Sequence, residues 1–250
     1  MTERSNISPA DVLVVIPARG GSKGIPGKNI KPLGGHPLLH YSIWLARRVV
    51  PDAQILLSTD SPGIQSVAEE TGLHVPFLRP PELATDAAGT YGVLLHSLDW
   101  AEAQHGRSFP LLLLLQPTSP FRQLQDLRRC FEAYRPGTEL VVSVMESKAN
   151  PYYTLFEEDA QGYLQQSKPG HYTRRQDCPP VYEYNGALYL IDTAALRQRP
   201  LHQFTRKRKV LMPEERSLDL DTPLDWQIAE LLLQNALVSL PEQTPPYGQT

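Results

Sequence analysis

Cysteine, excess positive charge and long hydrophobic runs are all scarce in this sequence of 250 residues. Its two cysteines, Cys130 and Cys178, are too few for a disulfide scaffold or a four-ligand structural zinc site, and they suit a reducing compartment. The 24 Lys and Arg residues against 27 Asp and Glu residues leave a net charge of −3. Such a balance supplies no strong positive field for a nucleic-acid backbone, so we expect no nucleic-acid partner.

No apolar run approaches the length of a membrane span. The longest, Leu111–Leu115, is far shorter than the roughly 18 residues that a transmembrane helix requires. Residues 1–6 include an acidic residue and precede no apolar segment of signal-peptide length. We therefore expect a cytoplasmic protein with no membrane partner.

The chain does contain enough apolar residues, 41% of the total, to bury one sizeable core. Short apolar runs alternate with amphipathic segments as far as about residue 145. The apolar runs predict strands buried on both faces, at residues 12–16, 55–57, 111–115 and 140–144. The amphipathic segments predict helices at residues 37–49, 62–71, 90–104 and 123–134. This order is typical of an α/β fold, a doubly wound and mostly parallel sheet with helices on both faces.

The pattern changes in the segment 150–180, which is rich in Pro, Tyr and Gln. Short alternating runs there predict hairpin-like strands outside the main sheet, and we interpret the segment as an arm. Strands are predicted again at residues 187–191 and 210–212, and a last helix at 223–237 has a capping-box pattern at its start. We therefore expect a single domain, residues 1–250, that carries one arm.

The most informative segment is the loop at residues 17–29, which reads PARGGSKGIPGKN and directly follows the first predicted strand. Ligands of open α/β sheets bind at the carboxyl ends of the strands, where this loop is expected to lie. Its glycines allow the backbone to approach a ligand closely, and Arg19, Lys23 and Lys28 supply three cations. The combination favours a triphosphate ligand.

Two common phosphate-binding motifs do not match this loop. A P-loop needs a glycine five residues before Gly27 and a hydroxyl residue after Lys28, but Ser22 and Asn29 occupy those positions. The dinucleotide pattern fails as well, because Ser22 and Lys23 fall where its second glycine is required. The alternative interpretation is a mobile surface loop with solvated charges, and the position after the first strand argues against it.

Five motifs in a fixed order point to a known family. Besides the loop, they are LRPPELATD at residues 78–86, LQPTSP at 115–120, YNGALY at 184–189 and LDLDT at 218–222. Over residues 12–235 the chain resembles the N-acylneuraminate cytidylyltransferases, the CMP-sialic acid synthetases. The resemblance implies a nucleotidyltransferase fold, a homodimer formed through the arm, and a Mg²⁺-dependent reaction. In that reaction CTP and a nine-carbon 2-keto sugar acid, a nonulosonic acid, give the CMP-sugar and pyrophosphate.

The resemblance also implies roles for individual residues. The nucleotide loop is matched by Arg19, Gly20, Gly21, Ser22, Lys23, Lys28 and Asn29, and the cytosine and ribose contacts by Arg79, Ala84, Thr85 and Asp86. The sugar site is matched by Gln116, Arg175, Asn185 and Tyr189, and the magnesium ligands by Asp219 and Asp221. The residues expected to carry catalysis are Arg19, Lys23, Lys28, Asp219 and Asp221.

The spacing of the two aspartates supports the metal role independently. Residues two apart in an extended segment face the same way, so Asp219 and Asp221 would face one cavity while Leu220 faces the core. Two carboxylates, together with phosphate oxygens and waters, are what Mg²⁺ prefers. The alternative is that Asp221 helps to cap the following helix beside Thr222.

Each proposed sugar contact also has a structural alternative. Gln116 follows a buried strand, where its amide can donate to a sugar carboxylate, but it can equally be a satisfied loop amide. Arg175 can bind a carboxylate with two parallel hydrogen bonds, but adjacent arginines such as Arg174 and Arg175 are commonly solvated.

Glu183 departs from the family pattern. Some bacterial sialic acid synthetases place an arginine two residues before the asparagine matched by Asn185, where this chain has Glu183. A carboxylate there can accept hydrogen bonds from hydroxyl or acylamino groups, so we count it among the sugar-site residues. It favours the legionaminic acid branch, whose sugars carry a second acylamino group. The alternative is that Glu183 pairs with Arg174 or Arg175.

Two other functions remain open. The chain could be a CMP-Kdo synthetase or another nucleotidyltransferase, although a Lys-Pro pair is expected after the loop in the former and Asn29 follows Lys28 here. It could also be a nonenzymatic sensor that binds CTP or a CMP-sugar. Turnover of CTP with a sugar acid distinguishes these possibilities.

Overall fold

The computed structural model describes residues 7–85 and 89–248, and it confirms the strands and helices expected up to residue 145 to within a few residues. The strands are β1 (Val12–Pro17), β2 (Pro32–Leu33), β3 (His36–Pro37), β4 (Ile55–Ser58), β5 (Leu111–Leu115), β6 (Leu140–Glu146), β7 (Phe156–Glu158), β8 (Leu164–Gln166), β9 (Tyr182–Asp192) and β10 (Lys207–Leu211). The helices are α1 (Leu38–Ala46), α2 (Pro62–Glu69), α3 (Thr90–His105), α4 (Leu124–Ala133), α5 (Thr193–Gln198) and α6 (Pro223–Gln234).

A central sheet of the described chain contains six strands in the order β10-β6-β9-β5-β1-β4. The strand β1 pairs in parallel with β4 and β5, and β10 pairs in parallel with β6. Only β9, which lies between β5 and β6, runs antiparallel to its neighbours in this sheet. The mostly parallel sheet expected from the sequence is therefore confirmed, and the carboxyl ends of β1, β4 and β5 meet at one edge.

Helices cover both faces of the sheet, which explains why its strands are continuous apolar runs. Val14 belongs to the apolar cluster that includes Leu39 of α1 and Leu127 of α4. Its neighbour Val15 belongs to the cluster on the other face, which includes Leu94 of α3. Among the described helices, none is long and apolar enough to cross a membrane.

The arm contains a hairpin of its own, as the segment 150–180 predicted. The strands β7 and β8 form a separate antiparallel sheet, with Phe156 opposite Gln166. At its base, the Asn150 amide donates to the carbonyl of Pro179 at 3.0 Å. The hairpin leaves Phe156, Tyr163 and Leu164 at least half exposed.

The two strands expected after the arm are longer than predicted. The strand β9 begins at Tyr182 instead of residue 187, and β10 begins at Lys207 instead of residue 210. The basic side chains of β10 are exposed while Val210 is buried. A charged edge strand of this kind is hidden from hydrophobicity patterns, because only one of its residues enters the core.

Candidate active site

A cavity of about 550 Å³ lies at the carboxyl ends of β1, β4 and β5. Many of the residues singled out by the motifs line it: Arg19, Ser22, Lys23, Lys28, Asn29, Arg79, Thr85, Gln116, Asp219 and Asp221. The other lining residues were given no individual role: Pro17, Gly24, Leu83, Pro117 and Thr118 lie within the motifs, and Gly89, Thr90 and Val93 lie outside them. Ala84 does not line the cavity, and Asp86 lies outside the described residues.

The loop 17–29 is anchored by its own backbone. The Gly20 N–H donates to Oδ1 of Asp60, just beyond β4, at 2.9 Å, and the Asn29 amide donates to the carbonyl of Arg19 at 3.0 Å. Gly20 and Gly21, both expected to contact the nucleotide, do not line the cavity. The N–H of Gly20 faces the Asp60 carboxylate instead, so the structure gives Gly20 an anchoring role.

Lys28 joins this loop to the segment that carries the two aspartates. Its buried ammonium donates to the carbonyl of Leu220 and, at 2.9 Å, to Oδ1 of Asp221. The backbones approach so closely that a Cβ on Gly24 would lie 2.0 Å from the carbonyl oxygen of Asp221. No side chain fits at residue 24, which is a requirement that the loop sequence alone did not reveal.

Arg79 lines the cavity beside the end of β4, although it lies beyond α2 in the chain. It is 6% exposed, its Nε donates to Oγ of Ser58 at 3.0 Å, and its Nη2 donates to the carbonyl of the same residue. Burial lowers the pKa of the Arg79 guanidinium, and the nearby Asp60 carboxylate opposes that change. The guanidinium is therefore held in a fixed position at the cavity wall.

The side chain of Asp219, a residue that lines the cavity, has one unsatisfied oxygen. Its Oδ1 is buried and has no hydrogen-bond partner among the described residues. Burial raises the pKa of Asp219 and Asp221 raises it further, whereas a hydrogen bond from Thr118 and the charge of Lys28 lower it. A cation beside this oxygen would offset the cost of burying its charge. The chemistry of Asp219 and Asp221 thus fits a hard divalent cation.

The capping alternative for Asp221 does not hold. The N-cap of α6 is Thr222, whose hydroxyl accepts from the Asp225 N–H at 3.3 Å. The Asp225 carboxylate in turn accepts from the N–H groups of Thr222 and Asp221, at 2.6 Å and 3.1 Å. Because Asp225 completes the capping box, the side chain of Asp221 is not needed for the cap; it accepts a hydrogen bond from Lys28 and lines the cavity.

Gln116 and Asp219 approach each other across Gly186. The glycine has a φ of +73°, and a Cβ there would lie 3.1 Å from Oε1 of Gln116 and 3.2 Å from Oδ2 of Asp219. Only glycine adopts this backbone conformation readily and leaves room for both side chains. The Asn-Gly pair inside an apolar strand was the sequence signal for such a position.

Asn185, which was expected to contact the sugar, is held in the core of this chain. Its side chain is 5% exposed and does not line the cavity. Its Oδ1 accepts from the Ser143 hydroxyl at 2.6 Å, and its Nδ2 donates to the Ser217 hydroxyl at 2.9 Å. The irregularity in β9 next to Gly186 turns this asparagine into the core.

Three further residues matched to the sugar site, Arg175, Glu183 and Tyr189, are not among the residues that line this cavity. Arg175 is exposed on the arm, and the Glu183 carboxylate accepts from the Ser147 hydroxyl at 3.1 Å. The expected alternative partner of Glu183, Arg174, pairs with Asp177 instead. Tyr189 is half-buried, and burial together with the charge of Asp219 raises its pKa.

The chain matches known proteins over most of its length. The family model described as "Cytidylyltransferase" matches residues 13–243. A CMP-N,N'-diacetyllegionaminic acid synthase from Legionella pneumophila is 35% identical, over 91% of this chain and 99% of its own length. An N-acylneuraminate cytidylyltransferase from Streptococcus agalactiae serotype V is 33% identical over 86% of this chain, which spans only 51% of that longer relative.

A solved structure shares the fold at much lower identity. It is a CMP:2-keto-3-deoxy-manno-octonic acid synthetase complexed with CTP, with a TM-score of 0.62 and 19% identity over 90% of this chain and 99% of its own. The identity is too low to indicate more than a shared architecture. The matches over nearly the whole chain establish the family that the five motifs predicted, and this protein belongs to the cytidylyltransferases.

Proposed function

We propose that this protein transfers CMP from CTP to the anomeric 2-hydroxyl of a nonulosonic acid and releases pyrophosphate. The observation that carries the proposal is the cavity itself, in which the cations of loop 17–29 face the Asp219 and Asp221 carboxylates. The near full-length similarity to a protein named as a CMP-N,N'-diacetyllegionaminic acid synthase supports this reaction.

The proposed step is an in-line substitution at the α-phosphorus of CTP. The sugar hydroxyl oxygen forms a new bond to the α-phosphorus and loses its proton. The bond between the α-phosphorus and the oxygen that bridges the α- and β-phosphates breaks, and the electron pair of this bond leaves with pyrophosphate. Such a reaction depends on positioning and charge neutralisation more than on covalent catalysis by the protein. Arg19 and Lys23 are assigned to the phosphates, and Lys28 to the departing pyrophosphate and to the orientation of Asp221.

We assign Mg²⁺ binding to Asp219 and Asp221. The support is the buried, unpartnered Oδ1 of Asp219 and the second carboxylate in the same cavity. Within residues 7–85 and 89–248, no cluster of three or more His, Cys, Asp or Glu side chains is placed to hold a metal ion. Two carboxylates completed by phosphate and water oxygens are nevertheless a common Mg²⁺ site. Bound there, Mg²⁺ supplies charge neutralisation for the phosphates.

For the sugar, we favour a diacetylated legionaminic acid over N-acetylneuraminate. The supporting relatives from Legionella pneumophila and Campylobacter jejuni, both named for N,N'-diacetyllegionaminic acid, align with 99% and 95% of their lengths. We propose that Glu183 contributes to this preference by accepting hydrogen bonds from the acylamino N–H groups of the sugar. Its carboxylate is exposed and bonded to Ser147, so a sugar contact requires a site completed by a second chain.

The function is tested by pyrophosphate release from CTP and Mg²⁺ with a panel of nonulosonic acids and Kdo. We expect turnover, with a higher kcat/KM for diacetyllegionaminate than for N-acetylneuraminate. A tenfold or greater preference for N-acetylneuraminate, about 1.4 kcal/mol in transition-state stabilisation, contradicts the legionaminic assignment but not the reaction. A loss of selectivity in Glu183→Gln supports its contact with the sugar, and unchanged selectivity removes it from the site. Nucleotide binding without turnover on any sugar identifies a sensor instead.

We also propose a homodimer formed through the arm. The hairpin exposes apolar surface to solvent, with Phe156 at 50%, Tyr163 at 70% and Leu164 at 67% exposure. Contiguous exposed apolar residues are characteristic of an interface. Arg175 lies on the same arm and outside its own cavity, so an arm that reaches the partner chain would bring this cation to the partner's sugar site.

Sedimentation at micromolar concentration is expected to show a dimer, and Leu164→Asp is expected to shift it toward monomer, because a charge in an apolar interface is costly. The matched control is Leu237→Asp, since Leu237 is similarly exposed, at 62%, but lies beyond α6. It should leave the dimer intact. A fully active wild-type monomer contradicts the dimer and the shared site.

We propose that the reaction takes place in the cytoplasm. Cys130 and Cys178 are both free thiols, as a reducing compartment maintains them. Burial raises the pKa of Cys130 to about 12, which makes that thiol unreactive at physiological pH.

A further inference from the structure

Arg122 is the largest fully buried side chain of the described chain, with 1% exposure, and the motifs assigned it no role. It lies in the turn between β5 and α4. Its Nη1 donates to the carbonyl of Gln116 and, at 3.3 Å, to the carbonyl of Ala187, and its Nη2 donates to the hydroxyl of Ser42. One guanidinium thus joins the end of β5, the middle of β9 and helix α1.

Burying this cation is costly. Within the described residues, the buried Nε of Arg122 has no hydrogen-bond partner, and burial lowers the pKa of Arg122 to about 9 despite attraction from Asp219. An apolar side chain of similar size would fill the core at a lower cost. The contacts of Arg122 therefore suggest a function other than packing.

The two carbonyls that Arg122 holds belong to Gln116 and Ala187, on the two segments that meet at Gly186. Gln116 lines the cavity, and Ala187 follows Gly186, which separates Oε1 of Gln116 from Oδ2 of Asp219. A Cβ at Gly186 would be 3.1 Å and 3.2 Å from those two oxygens. Small movements of the backbone at Gln116 or at Ala187 would therefore change how these groups are spaced. Arg122 is hydrogen-bonded to both of these backbones, at Gln116 and at Ala187.

We propose that Arg122 is a positioning residue that fixes the Gln116 amide relative to Gly186 and Asp219, and thereby shapes the sugar-acid half of the cavity. The inference rests on the proposed function, because it concerns how the sugar acid binds. The residues assigned to CTP lie on loop 17–29 and at residues 79–86, whereas the hydrogen bonds of Arg122 go to Gln116, Ala187 and Ser42. Arg122 should accordingly affect the two substrates differently.

The test is the KM for each substrate in Arg122→Lys, which keeps the charge but loses the forked set of donors. We expect the KM for the sugar acid to rise about tenfold or more, because hydrogen bonds to a charged group are lost. The KM for CTP should change less than about twofold. The matched control is Arg47→Lys, since Arg47 is also buried, at 3% exposure, and bonds Asp52 and Thr71 away from the cavity. It should lower thermal stability without changing either KM.

A double-mutant cycle with Gln116→Ala tests whether Arg122 acts through Gln116. Once the Gln116 side chain is absent, adding Arg122→Lys should raise the KM for the sugar acid by less than about twofold. If Arg122→Lys fails to fold, Ser42→Ala, which removes one acceptor of the guanidinium, should raise only the KM for the sugar acid. Equal changes in both KM values, no change in either, or full additivity in the cycle overturn the proposal. A wild type without turnover refutes the proposed function instead.

Discussion

Lys23→Ala is expected to lower kcat by about 10²-fold or more while leaving the fold intact. The side chain of Lys23 is exposed and lines the cavity, so its removal takes nothing from the apolar core. Charge accumulates on the phosphate oxygens as pyrophosphate leaves, and a fixed ammonium stabilises that state more than the bound substrate. The loss should therefore persist at saturating CTP and Mg²⁺.

The measurement is pyrophosphate release at saturating substrates, with circular dichroism to check the fold. Lys31→Ala is the matched control, because Lys31 follows the same loop but lies over the Trp226 ring, 4.1 Å from its centroid, and does not line the cavity. Near wild-type activity is expected of this control. Near-normal turnover by Lys23→Ala at saturation would falsify the assignment of the loop to phosphate binding.

Asp221→Asn should lower the apparent affinity for Mg²⁺ and the turnover rate together, each by about 10- to 100-fold. The substitution keeps the shape of the side chain but removes a charge from a hard-cation site. It also removes the carboxylate that holds the buried Lys28 ammonium at 2.9 Å. Both changes act on the cavity, so Mg²⁺ titrations of the initial rate should reveal the defect.

Asp225→Asn provides the matched control, because the structure separates the cap of α6 from the cavity. Asp225 forms the capping box with Thr222 and does not line the cavity. The control should cost about 1 kcal/mol of stability and leave the Mg²⁺ dependence unchanged. The metal assignment is refuted if Asp221→Asn instead lowers only the thermal midpoint.

Four strands of the central sheet were predictable because their signals are local. The apolar runs that became β1, β4 and β5 are uninterrupted, and the run that became β6 is broken only by Ser143, as expected of strands covered by helices on both faces. The start of α6 was equally clear, since Thr222, a proline and Asp225 supply the cap within four residues.

The remaining strands depend on partners that are distant in the chain. The basic residues of β10 pair with β6, which lies more than 60 residues earlier, and only Val210 is buried. Likewise, Asn185 follows the polar pattern of a ligand-binding residue, but an irregularity in β9 directs its amide to Ser143 and Ser217. Local sequence contains neither the pairing nor the direction of that side chain.

The sequence by itself determined four strands of the sheet and the chemistry of loop 17–29, because apolar runs, glycines and clustered cations act within a few residues of one another. Only the tertiary structure decided that this loop meets the 218–222 segment, so closely that a Cβ at Gly24 would overlap the Asp221 carbonyl. It also decided that the buried Arg122 holds the backbones of both Gln116 and Ala187. Apart from the bond to nearby Gln116, those relations join residues that are far apart in the chain, Arg122 with Ala187 and Gly24 with Asp221, and packing of the whole chain is what brings them together.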